Sequence, residues 1–273
     1  MFSENILQIP KVMGILNTTP DSFSDGGYFF SKDSALKRAR QMVEEGAHII
    51  DIGGESTRPG AQSISEQEEL DRVIPVLEKL RAELPILISV DTSKAEVMRE
   101  SISKGADMIN DIMALRNEDS LAAVAASDKV HICLMHIQGK PRSMQQNPHY
   151  ENVINEIKTF LLERVQACLD VGIAANRLFI DPGFGFGKTK AHNLLLMKQL
   201  QMFTELGYSV LVGLSRKSLI GQILNKPVTE RLYGSLALAV LAVYKGTKII
   251  RTHDVAATVD AIKMTHAVLQ QTD

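Results

Sequence analysis

ILISVDTSKAEVMRESISKGADMINDI, residues 86–112, holds one full turn of a repeat that organises the whole chain. An apolar run (86–92) stops at Asp91, a helix is expected over 94–104, and Gly105 closes it. A second apolar run (108–112) then stops at Asn110 and Asp111. Glycine fits the closing position because it takes the left-handed conformation without a Cβ clash. Upstream lie KVMGILN (11–17) and HIIDIGGE (48–55). Downstream lie HICLMH (131–136), LFIDPG (178–183), SVLVGLSRK (209–217) and KIIRTH (248–253).

Further helices are expected at 33–45, 66–82, 119–127, 150–171 and 190–206, in segments through 216–244, and at 255–270. Their period shows in Ala35, Leu36, Ala39, Met42 and Val43, and over a longer span in Val153, Ile154, Ile157, Leu161, Val165, Cys168 and Leu169. Glycines at 46, 172, 207 and 246 repeat the role of Gly105, and Pro85 stops the chain before the third strand. Strands apolar on both faces suit a parallel sheet covered by helices. Eight strands with eight crossovers in about 250 residues is the count of a (β/α)8 TIM barrel. A doubly wound sheet is the competing α/β architecture and usually has fewer strands, about five to seven. No Pro/Ser-rich linker or charge block divides residues 1–273, so a single domain is expected.

With 45% hydrophobic and 23% charged residues, the 273-residue chain has an ordinary globular composition. A formal charge of −2 offers no electrostatic case for a nucleic-acid partner. The start, MFSENILQIPK, lacks the basic region and apolar core of a signal peptide. The longest apolar stretch, LALAVLAV (236–243), is far short of the roughly 20 residues a membrane span needs. A cytoplasmic chain with no membrane partner is expected. Cys133 and Cys168 read as buried free thiols.

The strand ends carry the chemistry: Asn17, Glu55, Asp91, Asn110, Asp111, His136, Asp181, Arg216, Lys217, Arg251 and His253. Polar residues at the ends of parallel barrel strands describe an enzyme active site. DPGFGFGKT (181–189) fails as a Walker A loop, because Pro182 stands where the first glycine belongs. It also fails as a dinucleotide fingerprint, because Lys188 replaces the last glycine. What survives is a carboxylate before a glycine-rich turn that carries Phe184 and Phe186. Asp181 can accept paired N–H bonds from an amidine-like ring edge, or it can cap the next helix. Either phenylalanine can offer a flat ring a stacking face.

Ser215, Arg216 and Lys217 follow the seventh strand, and Arg251 and His253 flank Thr252 in the eighth. Barrel enzymes often bind phosphate beside these last two strands, so three cations and a histidine there suit a polyanion. Asp91, Asn110 and Asp111 are either structural caps or contacts to a ring's heteroatoms, and His136 is either structural or catalytic. No zinc set or G-x-S-x-G elbow is present. Segments 18–32 and 56–65 are rich in Gly, Ser, Asp and Pro, and read as lids or as solvated connectors.

GILNTTPDSFSDGG, DIGGESTRPG, SVDT, INDI, MHIQGKPRSM, DPGFGFGK, GLSRKS and RTHDV resemble, in order and over nearly the whole chain, the successive blocks of the dihydropteroate synthase family. The resemblance implies a pterin-binding barrel that joins 4-aminobenzoate to dihydropterin diphosphate, a step of folate synthesis. It assigns Asp181, Asn110, Asp91 and Lys217 to the pterin ring, beside the stacking face of Phe186. It assigns Arg251, His253 and Asn17 to the diphosphate, with Asn17 also reaching Mg2+. Thr57, Arg58 and Pro59 would help form the aminobenzoate pocket with Phe186, Ser215 and Lys217, and Thr57 would also bind the pterin diphosphate. Asp91, Lys217, Arg251 and His253 would be the catalytic set, and a homodimer is implied. The alternatives are another pterin barrel that transfers a methyl group from methyltetrahydrofolate, or a non-catalytic pterin-binding subunit. The combination of Lys217, Arg251 and His253 favours a diphosphate substrate.

Overall fold

The computed structural model describes residues 9–18, 32–56 and 62–271. Its strands are β1 (Lys11–Asn17), β2 (Ile49–Gly53), β3 (Leu87–Asp91), β4 (Met108–Asp111), β5 (His131–Met135), β6 (Leu178–Asp181), β7 (Ser209–Gly213) and β8 (Ile249–Thr252). The helices are α1 (Lys32–Glu44), α2 (Glu66–Glu83), α3 (Ala95–Ser103), α4 (Ser120–Ala125), α5 (Val153–Asp170), α6 (Lys190–Lys198), α7 (Gln201–Thr204), α8 (Ser218–Leu224), α9 (Leu232–Tyr244) and α10 (Val255–Gln270). The strands are parallel and close in sequence order, with β8 paired to β1. Closure excludes the doubly wound sheet and gives the expected (β/α)8 barrel.

Side chains alternate across each strand, and that period of two builds the core in two layers. One set, including Val12, Ile50, Ile88, Ile109, Ile132, Leu178, Val210 and Ile250, packs outward on the helices. The other set, Met13, Ile49, Met108, Cys133, Phe179, Leu211 and Ile249 with Leu87, supplies one residue per strand and plugs the barrel. Two residues further along, five strands place a polar residue inward (Asp51, Ser89, Asn110, Asp181 and Arg251), beside Ile15, Met135 and Gly213, and these form the floor of the rim.

Helix ends differ from expectation for local reasons. The span 150–171 shortens to α5 because Asn152 caps it, accepting from Asn155 N at 3.0 Å. The span 119–127 shortens because Asp119 is left-handed, with φ 60°. The span 190–206 breaks into α6 and α7 at a tightened turn where Leu200 N donates to Met197 O. Gly46, Gly105, Gly172, Gly207 and Gly246 all have positive φ, as their closing role requires. Both cysteines are free and buried.

Candidate active site

β2, β4 and β8 are not neighbours in the sheet, so their side chains can meet only across the barrel interior. They do meet, above the apolar plug. Arg251 on β8 donates through Nε to Asp51 Oδ2 at 2.5 Å and through Nη2 to Asp91 Oδ2 at 2.7 Å. Asn110 on β4 donates to the same Asp51 oxygen at 3.3 Å. Asp51 is fully buried, whereas the Arg251 and Asp91 side chains retain 20% and 13% exposure toward the mouth. Burial alone would lower the Arg251 pKa, but Asp51 and Asp91 more than offset it and hold the guanidinium firmly charged. Burial raises Asp91 above the usual carboxylate range, opposed by Arg251 and reinforced by Asp51, Glu69 and Asp111.

Asn17 ends β1 beside Gly53. A Cβ at position 53 would lie 3.7 Å from Asn17 Oδ1 and 3.8 Å from Asp91 Cβ, so the glycine leaves open the space between them. Among the described residues no group of three His, Cys, Asp or Glu side chains is placed to hold a metal ion. A single amide oxygen as protein ligand fits Mg2+, which keeps waters and substrate oxygens in its shell.

The β6 end supplies the opposite wall. Asp181 accepts from Gly183 N at 2.7 Å, and burial pushes its carboxyl up to about 6. It does not cap the following helix; Thr189 does, through a capping box. Phe184 is buried in the main core, so the exposed face belongs to Phe186, with Lys217 Nζ 4.2 Å from its ring centroid. Burial lowers Lys217 to about 8.

His136 proves structural. Its Nδ1 lies 2.9 Å from the buried Lys188 Nζ, which also donates to Gly183 O and Phe186 O at 2.9 and 3.1 Å. Its ring packs edge-on against Phe160, and burial drives its pKa down to about 2. Asp111 is structural too, accepting from Met113 N and Leu115 N at 2.8 and 2.7 Å. Those two bonds hold the turn where Ala114 and Leu115 take positive φ.

On the β7–β8 side, Ser215 Oγ lies 3.1 Å from His253 Nδ1 and accepts from His253 N at 3.2 Å. Arg216 departs from the expected trio of cations: it is exposed, left-handed at φ 58°, and forks onto Asp254. Its N–H donates to Ser235 Oγ at 2.9 Å, and Arg231 donates to Arg216 O at 3.1 Å, so α9 and its cap fix this loop. Glu55 lies off the rim centre, paired with Lys94, which also binds the buried Glu69. Residues 19–31 of the first lid segment and 57–61 of the second, Thr57, Arg58 and Pro59 included, lie outside the described residues.

Asp51 does not stand out as a strand-end residue because it sits inside the run IIDIG rather than at its end. A carboxylate in the middle of an otherwise apolar strand was the available signal, since such a charge is rarely buried unless paired.

Residues 13–253 match the family of pterin binding enzymes. The chain is 55% identical, over 96% of its length and 94% of the relative's, to the dihydropteroate synthase of Haemophilus influenzae. It superposes on Yersinia pestis dihydropteroate synthase in a sulfonamide drug complex with a TM-score of 0.93, at 49% identity over 97% and 96% of the two chains. The Xanthomonas albilineans dihydropteroate synthase with 4-aminobenzoic acid gives 0.92 at 48% identity, over 97% and 95%. The chain belongs to the dihydropteroate synthase family.

As a dihydropteroate synthase family member it places Asp51, Asp91, Asn110, Asp181, Lys217 and Arg251 on one rim, with the Ser215–His253 pair beside Arg251 in the next turn of chain. Such a rim offers carboxylates to N–H donors on one side and cations to an anion on the other.

Proposed function

We propose that the rim condenses 4-aminobenzoate with (7,8-dihydropterin-6-yl)methyl diphosphate to give 7,8-dihydropteroate and diphosphate. The observation that carries this reading is the juxtaposition of buried carboxylates with Arg251 and Lys217 in one barrel mouth, in a chain with this level of identity to the family. Asp181 and Asn110 accept N–H bonds from the 2-amino-4-oxo ring edge, and Phe186 offers its exposed face under Lys217.

The methylene C–O bond breaks with its electron pair leaving on the diphosphate, and positive charge spreads into the electron-rich dihydropterin. Arg251 and His253 stabilise the departing anion, and Asp91 supports the cation. The amine lone pair of 4-aminobenzoate closes the new C–N bond, and the nitrogen then releases its proton to solvent. No strong base is needed, because an aromatic amine is already a nucleophile. Asn17 Oδ1 would hold Mg2+ together with diphosphate oxygens and waters, and the ion when bound supplies further charge neutralisation to the leaving group. Ser215, Phe186 and Lys217 would face the aminobenzoate, and the family resemblance assigns Thr57, Arg58 and Pro59 to the same substrate.

The same reading makes the enzyme a cytoplasmic homodimer. Support for the dimer comes from apolar side chains left exposed on two adjacent helices, Tyr233, Leu241 and Tyr244 on α9 and Met264, Val268 and Leu269 on α10. No helix among the described residues is long and apolar enough to cross a membrane. Incubation with both substrates and Mg2+, followed by mass identification of the product, tests the activity. Formation of 7,8-dihydropteroate is expected, and unreacted substrates would overturn the reading.

A further inference from the structure

Asp51 carries none of the substrate contacts assigned above, yet it is the residue on which the floor of the site converges. Its Oδ2 takes Arg251 Nε and Asn110 Nδ2 together, one from β8 and one from β4. A carboxylate can only accept, so the Asn110 amide must turn its NH2 toward Asp51 and its oxygen away. The same carboxylate fixes the guanidinium plane of Arg251, whose other edge reaches Asp91. Among the described residues Asp51 Oδ1 has no hydrogen-bond partner, and neither has Ser89 Oγ on the register-paired neighbour in β3. A buried carboxylate is costly to desolvate, and Asp51 offsets that cost through Arg251 and Asn110, the two groups whose orientation it sets.

We propose that Asp51 is a positioning residue that orients two groups for the reaction: the Asn110 amide, as an acceptor for a ring N–H, and the Arg251 guanidinium, toward the leaving diphosphate. The inference rests on the functional reading above. Asn110 touches the ring in ground and transition states alike, whereas Arg251 matters most as charge builds on the leaving oxygen. Loss of Asp51 therefore affects both parameters, with kcat taking the larger share.

Asp51→Asn keeps the size and removes the charge. Its kcat/KM should fall on the order of a hundredfold, the cost of a misplaced catalytic group. Its melting temperature should stay within a few degrees of the parent. The pH profile provides a readout that a structural role would leave unmoved. Asp91 faces Arg251 from β8, Asp51 from β2, Glu69 from α2 and Asp111 from β4. Removing the Asp51 charge removes one of its repulsive neighbours, so the acid limb of kcat/KM should move to lower pH.

A second variant guards against misfolding. Asn110→Asp sets two carboxylates against each other and should lose affinity for pteroic acid in calorimetry. Asp51→Asn/Asn110→Asp restores an amide–carboxylate pair and should regain that affinity without regaining turnover. If the parent protein forms product while Asp51→Asn keeps its kcat/KM and acid limb, the positioning role is overturned. So is it if the exchanged pair regains no affinity. A parent protein that forms no product instead sinks the functional reading.

Discussion

Among the rim residues, Asp181 and Lys217 have the most legible titration. Asp181 accepts ring N–H bonds only when ionised, and its pKa is raised to about 6, so binding weakens as pH falls through that value. Lys217 is cationic only below its lowered pKa of about 8, so its support is lost as pH rises through it. Asp91, raised to about 7, must also be ionised to support the cation, so it sets the acid limb together with Asp181. A bell-shaped kcat/KM profile peaking between about 7 and 8 is expected, and a profile flat from pH 5 to 9 would contradict these assignments. Asp181→Ala should abolish measurable binding of the pterin diphosphate, and an unchanged dissociation constant would remove Asp181 from ring recognition. Several neighbours with equally polar side chains turned out to brace the backbone instead. Asp111, His136 and Arg216 look like site residues in a string of letters, because polarity at a strand end does not reveal which way a side chain points. Only their partners decide: two backbone amides, a buried lysine and an aspartate.

At the scale of elements, the loops after β5 and β6 act as one piece. Gly183, at φ +72°, approaches so closely that a Cβ there would sit 1.9 Å from His136 O. Lys188 ties the same loop down from below, and Tyr150 donates to Gly187 O at 2.8 Å. Phe186 is thus presented by a loop with little freedom. Gly183→Ala should cost about 1–3 kcal/mol for the backbone conformation alone, with the clash added. The expected readout is a lower melting temperature together with a raised KM for the pterin substrate. A variant normal in both would show that the loop can yield. The glycine spacing that excluded a nucleotide loop is explained by this approach of one backbone to another, which spacing alone could not disclose.

For the whole molecule, closure of the sheet creates the site. Asp51, Asn110 and Arg251 are separated by 59 and 200 residues from their partners in sequence, yet they share one oxygen. The outer surface raises a separate expectation. Val268 is 70% exposed and Tyr233 is 81% exposed, on helices that pack side by side. Exposed apolar side chains on two adjacent helices suit the association face proposed above. Light scattering should give a dimer for the parent chain and a monomer for Val268→Asp; a monomeric parent would remove this face from the proposal.

The sequence by itself determined the barrel, because eight apolar runs separated by helical periods and closing glycines leave one economical way to bury both faces of each strand. It also determined which strand ends carry reactive groups, since chemistry on this fold collects at one end of the strands. Only the tertiary structure decided which of those groups face one another. Distances across a barrel depend on stagger and closure, and neither is written in local spacing. Asp51 is the clearest case: within its own strand it interrupts an apolar pattern, and only across the barrel does it become the partner of Arg251 and Asn110.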